Sequence, residues 1–278
     1  MNPAYPVVTG FPQEVFFRIG FFLLIFGTVA MVEIGLPRRR LSAPKPARWR
    51  VNLAITLIDA VLARFLFPVL PVGLALLGAA RGWGLLNHFA VPFWLAVLLG
   101  ILLLDLVIYL QHVLFHLLPI FWRVHRMHHT DLDIDVTTGL RFHPLEIILS
   151  QLIKLAAVAA LGAPAVAVLI FEILLNGTSQ FNHGNMRLGQ RIDRLLRLIV
   201  VTPDMHRVHH SVIIREMNSN FGFNFPWWDR FFGTYRPQPS AGHEAMVIGL
   251  AQFRNAAALT LGALLLMPFR PRIFKKMI

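Results

Sequence analysis

The chain contains no cysteine among its 278 residues. That excludes disulfides, zinc ribbons, thiolate metal sites and cysteine nucleophiles together. Any metal must be held by His, Asp, Glu or backbone. Charge is also scarce: 14% of the residues are Asp, Glu, Lys or Arg, against 56% hydrophobic. A water-soluble domain of this length has no need of so much apolar sequence, and several of the apolar runs are about as long as a bilayer-spanning helix. The chain therefore reads as an integral membrane protein of the all-α class. The expected architecture is a multi-span helical bundle with a histidine-rich helical cap on the cytoplasmic side, forming one domain over residues 1–278. Acids are the rarer sign, and the net charge is +12. In a membrane protein that excess fits cytoplasmic flanks and anionic headgroups better than nucleic acid.

The opening stretch has no basic region ahead of its apolar run and no small-residue cleavage site after it, so it reads as a retained span. That span is expected from Phe16 to Leu36. Pro37 to Arg50 follows with six basic residues and no acid, which assigns it to the cytoplasm. A second apolar segment, Val51 to about Ala80, contains Asp59, Arg64 and two prolines. Two placements stay open for it, inside the bundle or with its first half along the membrane surface. A third span is expected from Val91 to about Leu118. Between Leu145 and Leu175, the tetrapeptide "LGAP" is a turn signal. It predicts a helical hairpin whose ends emerge on one side. Arg187, Arg191, Arg194 and Arg197 recur at helical spacing among leucines and isoleucines, as in a basic helix lying on the membrane surface. A last apolar stretch, Val247 to Met267, reads as interfacial or re-entrant and leads into a basic tail.

Histidine is what this sequence has in place of cysteine, with twelve residues. "HRMHH" places His125, His128 and His129 at i, i+3 and i+4, and "HRVHH" repeats the pattern at His206, His209 and His210. "HVLFH" adds His112 and His116 at i, i+4. Such spacings bring side chains to one face of a helix. Imidazole is the commonest protein metal ligand. Eight nitrogens exceed what one ion needs, so two ions are the economical reading. Asp105, Tyr109, His112 and His116 form one stripe along the third span. An acid within a span is a functional candidate by default. Asp105 is expected to orient His112 by accepting its distal N–H, directly or through water, with an ion pair to Arg64 as the alternative. No H-E-x-x-H motif and no nucleophile elbow occur.

The three histidine boxes, in this order and with spans before and between them, resemble the fatty acid hydroxylase/sterol desaturase superfamily of membrane non-haem di-iron oxygenases. The resemblance covers about Asp105 to Tyr235. "TPDMHRVHHS" and "NFGFNFPWWDRFFGTY" are most similar to the alkylglycerol (glyceryl ether) monooxygenase branch, whereas His143-Pro144 resembles the sterol desaturase branches. The intermediate box reads "SQFNH", with Ser179 in the place of its first histidine. The resemblance implies as metal ligands His112, His116, His125, His128, His129, His183, His206, His209 and His210, with His143 and Asp105 in support. His88 and His243 are expected to be surface residues.

The resemblance also implies two iron ions, with zinc able to occupy the site in purified protein. The implied reaction takes O2 and hydroxylates or desaturates a lipid alkyl chain drawn from the bilayer. Electrons come from an external donor, a ferredoxin, cytochrome, reductase or pterin, since no dinucleotide-binding motif is present. Trp227, Trp228, Phe231 and Phe232 are expected to close the site or to anchor at the interface. Sterol or carotenoid oxidation is the alternative within the superfamily. A histidine-rich membrane metal transporter is the alternative from another class, with a metal-binding scaffold as a third reading.

Overall fold

A computed structural model describes residues 12–67, 69–89 and 91–270. The first eleven residues and the basic tail 271–278, on which two of the sequence readings fall, lie outside the described residues. Helices α1 (Pro12–Gly35), α2 (Lys45–Leu66), α3 (Pro71–Arg81), α4 (Leu85–His88) and α5 (Phe93–Leu117) come first. They are followed by α6 (Pro119–His129), α7 (Pro144–Leu161), α8 (Ala165–Asn182), α9 (Gln190–Leu196) and α10 (Pro203–His209). Short turns α11 (Ile214–Met217), α12 (Trp227–Phe231), α13 (Gly242–Ala245) and α14 (Leu261–Leu265) complete the chain. Extended pairing among the described residues is limited to two isolated bridges, Pro37 with Met186 and Ser211 with Ile248.

Five segments among the described residues are long and apolar enough to cross a membrane: Glu14–Gly35, Lys45–His88, Phe93–Leu117, Pro144–Leu161 and Ala165–Asn182. Their outer faces carry large exposed apolar side chains, among them Phe16, Leu24, Leu57, Phe65, Phe93 and Trp94. Such a surface suits lipid. The second segment is broken between α2 and α3, where Pro71 opens α3 and supplies no backbone donor. Its acid lies inside the bundle, since Asp59 is buried, while Arg64 is exposed.

Proline and glycine set the other boundaries. Pro119, Pro144 and Pro203 each open a helix at a position whose N–H would be unpaired in any case. The "LGAP" turn forms as expected: Gly162 adopts φ 63° at the end of α7, and Pro164 caps α8. A side chain at Gly162 would also run into the Trp83 carbonyl. The hairpin α7–α8 packs with α3 and α5 around Val72, Ala75, Leu104, Ile108, Val158, Val168 and Phe171.

One expectation changes. The basic helix is only Gln190–Leu196. Arg197 is buried, pairing with Asp193 at 2.7 Å and donating to the Pro237 carbonyl at 2.7 Å. Ile192, Leu195, Leu198 and Ile199 nevertheless stay exposed. The apolar stretch 247–267, read as interfacial or re-entrant, forms short turns; Leu264 and Met267 pack against Ile55 and Met127 beneath the first histidine pentad.

Candidate metal centre

The end of α5 carries His112 and His116. The chain then bends at Leu118, and α6 carries His125, His128 and His129 back over them. Helix α8 ends at His183, and α10 carries His206 and His209, with His210 just beyond. These nine histidines meet in one buried chamber and divide into two groups. His112, His116, His125, His129 and His209 form the first; His128, His183, His206 and His210 form the second, with the candidate ligand atoms of each group within 4.8 Å of one another. Each pentad is thus divided. Its i and i+4 residues serve one group and its i+3 residue the other, because i+3 projects to the opposite side of i from i+4.

Metal would fit this arrangement. The Nδ1–H groups of His112, His128, His183 and His209 donate to the carbonyls of Phe221 (2.7 Å), Arg141 (3.2 Å), Ser179 (2.7 Å) and Ser219 (2.8 Å). His125 Nδ1–H donates to Glu146 Oε1 at 2.7 Å. With Nδ1 protonated, each of these rings presents a bare lone pair at Nε2. Yet His112 Nε2 lies 3.2 Å from His125 Nε2, and His128 Nε2 lies 3.2 Å from His183 Nε2. His183 Nε2 also lies 3.1 Å from His206 and 3.2 Å from His210. Facing lone pairs repel unless a cation lies between them. Nitrogens about 2.0–2.1 Å from a common ion would be about 2.8–3.4 Å apart, the spacing found. His116 Nε2 and His209 Nε2 are buried without a hydrogen-bond partner. Burial, reinforced by neighbouring imidazoles, holds His128, His129, His206, His209 and His210 well below the ordinary histidine range. It pushes His125 and His183 down to about 3. Neutral rings are the form that binds metal.

The chamber walls explain several motifs. The α5 stripe faces the segment 218–234 residue for residue. Asp105 accepts from Trp228 Nε1 (2.8 Å), Tyr109 bonds Thr234 (2.8 Å), His112 meets Phe221, and His116 meets Asn218. Asp229 accepts from the N–H groups of Phe221 (2.8 Å) and Gly222 (2.9 Å) and so fixes the carbonyl that orients His112. Burial raises Asp229 to about 6. The Trp-Asp…Phe-Gly-Thr tail is therefore the frame behind the five-histidine group. Gly139 lies so close to α8 that a side chain there would run into the Ser179 carbonyl, the acceptor for His183.

Three assignments are corrected. Asp105 does not orient His112: the distal N–H of His112 goes to the Phe221 carbonyl, and Asp105 Oδ2 accepts from Trp228 instead. His143 lies outside both groups: its Nδ1 caps α7 by accepting from Leu145 N–H (3.1 Å), and its Nε2 bonds the Leu265 carbonyl (3.0 Å). His243 is buried rather than superficial, 3.6 Å from Asp204. His88 is exposed, as expected. Trp228 belongs to the frame, whereas Phe231 is exposed.

Glu146 escaped the sequence reading, as did a polar stripe on α2. Arg48, Asn52, Ile55 and Asp59 are its buried positions, at the same i, i+4, i+7, i+11 spacing that singles out α5. That repetition was the available signal. Arg48 grips Asp131 with two bonds (2.6 and 2.8 Å) and Asp135 with a third (2.6 Å). Burial alone would raise the Asp131 pKa, but the Arg48 guanidinium outweighs it and holds the carboxyl below its ordinary range. Arg141, fully buried, bonds Asn52 (2.8 Å), Thr130 (2.8 Å) and the Met127 carbonyl (3.1 Å). This network locks the loop between the first pentad and α7.

The fold and site define a helical membrane protein with a buried chamber of neutral histidines in two metal-sized groups. Residues 97–234 match the family model for fatty acid hydroxylase, and the chain carries a domain of that family. It is 32% identical to the ornithine lipid hydroxylase OlsE of Rhizobium tropici over 162 residues, 56% of this chain and 47% of that protein. Identity to human alkylglycerol monooxygenase is 29% over 162 residues, 56% of this chain and 33% of that protein. Identity to human cholesterol 25-hydroxylase is 27% over 243 residues, 84% of this chain and 85% of that protein. The match thus spans less than half the length of the first two relatives. No solved structure matches the chain.

Proposed function

We propose that the protein is a membrane-bound oxygenase that hydroxylates the alkyl part of a lipid, with two iron ions held by the nine histidines. The observation that carries this reading is the set of bare imidazole nitrogens bordering a cavity of about 380 Å³, which His112 and His125 line together with Ile108, Phe115, Phe142 and Phe223. Iron in such a site supplies activation of O2 for insertion into a C–H bond. The chain's own residues bind and hold. The apolar lining positions an alkyl chain and excludes water, and Glu146 and the carbonyls of Phe221, Arg141 and Ser179 keep the rings in their Nδ1–H form. Electrons come from an external donor, a ferredoxin, cytochrome, reductase or reduced pterin. The relatives' hydroxylase and monooxygenase names favour hydroxylation over desaturation.

The chamber is assigned to the cytoplasmic face. Arg38 and Arg39, from the loop with six basic residues, reach Asp204 (3.1 Å) and the Met246 carbonyl (2.7 Å). Loop and chamber therefore share one side of the bundle, and basic loops remain inside. Purified protein reconstituted with iron should hold close to two ions per chain by elemental analysis. With a chemical reductant and isotopically labelled O2, it should place label in an added lipid hydroxyl. One ion per chain would refute the two-ion site, and absence of label from every lipid in cell extracts would refute the oxygenase.

A further inference from the structure

A cleft of about 900 Å³ lies apart from the histidine chamber and shares no residue with it. Its walls come from the loop after α1, from α9 and its approach, from Asp204 on α10 and from residues 235–244. Four arginines line it, Arg38, Arg187, Arg194 and Arg197, against three acids, Asp193, Asp204 and Glu244. The acids are already occupied. Asp193 accepts from Thr202 (2.6 Å) and pairs with Arg197 (2.7 Å). Asp204 accepts from Arg38 (3.1 Å) and from the buried Arg207. Glu244 accepts from Arg38 (3.1 Å) and Arg187 (2.8 Å).

Several of the donors are idle. Arg197 is 5% exposed, yet its Nη2 has no hydrogen-bond partner. His243 is 5% exposed, and neither ring nitrogen has a hydrogen bond. Arg194, in the open part of the cleft, makes no hydrogen bond or ion pair with any described residue. No carboxylate oxygen lining the cleft is both buried and without a partner. Idle N–H groups on a buried guanidinium are costly, and buried polar groups in native proteins otherwise find partners. The missing partner is therefore an acceptor, and one that carries negative charge. Phosphate fits, since its several anionic oxygens take charge-assisted bonds from arginine.

The rim of the cleft says where the phosphate comes from. Ile192, Leu195, Leu198 and Ile199 stand exposed on and just after α9. Trp227 Nε1 donates to the Leu198 carbonyl (2.6 Å) and Arg230 to the Arg197 carbonyl (2.9 Å). These bonds fix α12, with its exposed Phe231, to the same rim. Apolar side chains interleaved with arginines are the pattern of an element half sunk in a bilayer surface. We infer that the cleft binds the phosphate headgroup of an anionic phospholipid, while the α9–α12 rim rests among the acyl chains. This binding needs neither metal nor turnover, so it stands or falls apart from the oxygenase reading.

The test uses the full chain, metal-loaded, in neutral detergent and without reductant. Unlabelled competitors displace a fluorescent phosphatidic acid. Phosphatidic acid should bind about tenfold or more tightly than diacylglycerol with the same chains. Glycerol 3-phosphate, which has the phosphate without the chains, should compete far more weakly than phosphatidic acid. Arg194→Gln and Arg197→Gln should each cut the preference for phosphatidic acid about threefold or more at unchanged metal content. Arg191→Gln, on the same helix but outside the cleft, should leave it intact. If Arg197→Gln fails to fold, Arg194→Gln, at an exposed position, decides alone. Equal affinity of wild type for phosphatidic acid and diacylglycerol would overturn the inference. Equal losses in Arg191→Gln and Arg194→Gln would overturn it too, in favour of diffuse surface charge. Competition by glycerol 3-phosphate as strong as by phosphatidic acid would overturn the assignment to a lipid.

Discussion

The two histidine groups share one chamber but differ in what stands behind them. The five-histidine group is backed by side chains as well as main chain: Glu146 behind His125, Asn218 behind His116, and the Phe221 and Ser219 carbonyls behind His112 and His209. The four-histidine group is backed by carbonyls alone, Arg141 behind His128 and Ser179 behind His183. Only the first group borders the cavity, through His112 and His125. A carboxylate makes the imidazole in front of it more basic than a carbonyl does. The group facing the cavity therefore has the more electron-rich imidazole and the more adjustable support, while in the other His128 and His183 are held by backbone and the Nδ1 atoms of His206 and His210 have no protein partner.

The largest effect should come from removing one ligand from either group. His209→Ala and His128→Ala each delete a buried nitrogen for which no neighbour substitutes, and lipid oxidation should fall to background in both while the protein still inserts. Metal analysis sharpens the comparison, because each variant should first lose the ion of its own group. Full metal and full activity in both would defeat the assignment. Glu146→Gln comes next. It keeps a hydrogen bond to His125 but removes the charge, so affinity in the five-histidine group should drop about 10–100-fold. The four-histidine group should titrate as before. Equal weakening of both groups in a two-step metal titration would show that they are not separable.

His143→Ala should be smaller still. The ring caps α7 and touches neither group, so stability should fall by about 0.5–2 kcal/mol with metal stoichiometry unchanged. Loss of an ion would return His143 to the ligand set. The smallest effect concerns His243, which burial lowers to about 4 despite the opposing pull of Asp204. Its unfolded value is about 6.5. Below that pH the unfolded chain takes up a proton that the folded chain does not, so stability present above about 6.5 is lost as pH falls toward 4. His243→Asn should flatten this part of the thermal-stability profile of the purified protein; a profile identical to wild type would show that folding leaves the His243 pKa unshifted.

Much of this was open to reading in one dimension. Membrane spans follow from apolar run length, the α7–α8 turn from Gly162 and Pro164, and the helical histidine faces from a spacing of three and four. These are local properties, set by bilayer thickness, allowed backbone angles and helix pitch. Asp105 shows where local reading stops. The stripe was legible, but whether its acid meets His112 or Trp228 depends on a tail more than a hundred residues away.

The sequence by itself determined the class of protein, the order of its spans and eight of the nine chamber histidines, because periodicity and residue chemistry are written along the chain; His183 entered only through the family resemblance. Tertiary structure alone decided how nine histidines divide into five and four. A pentad on one helix presents i and i+4 to one side and i+3 to the other, and which group each side joins depends on the helix packed against it. The same holds for Glu146 behind His125, Arg48 around Asp131 and the burial of His243. Each is a long-range contact between polar groups withdrawn from water together, and no local pattern names the partner.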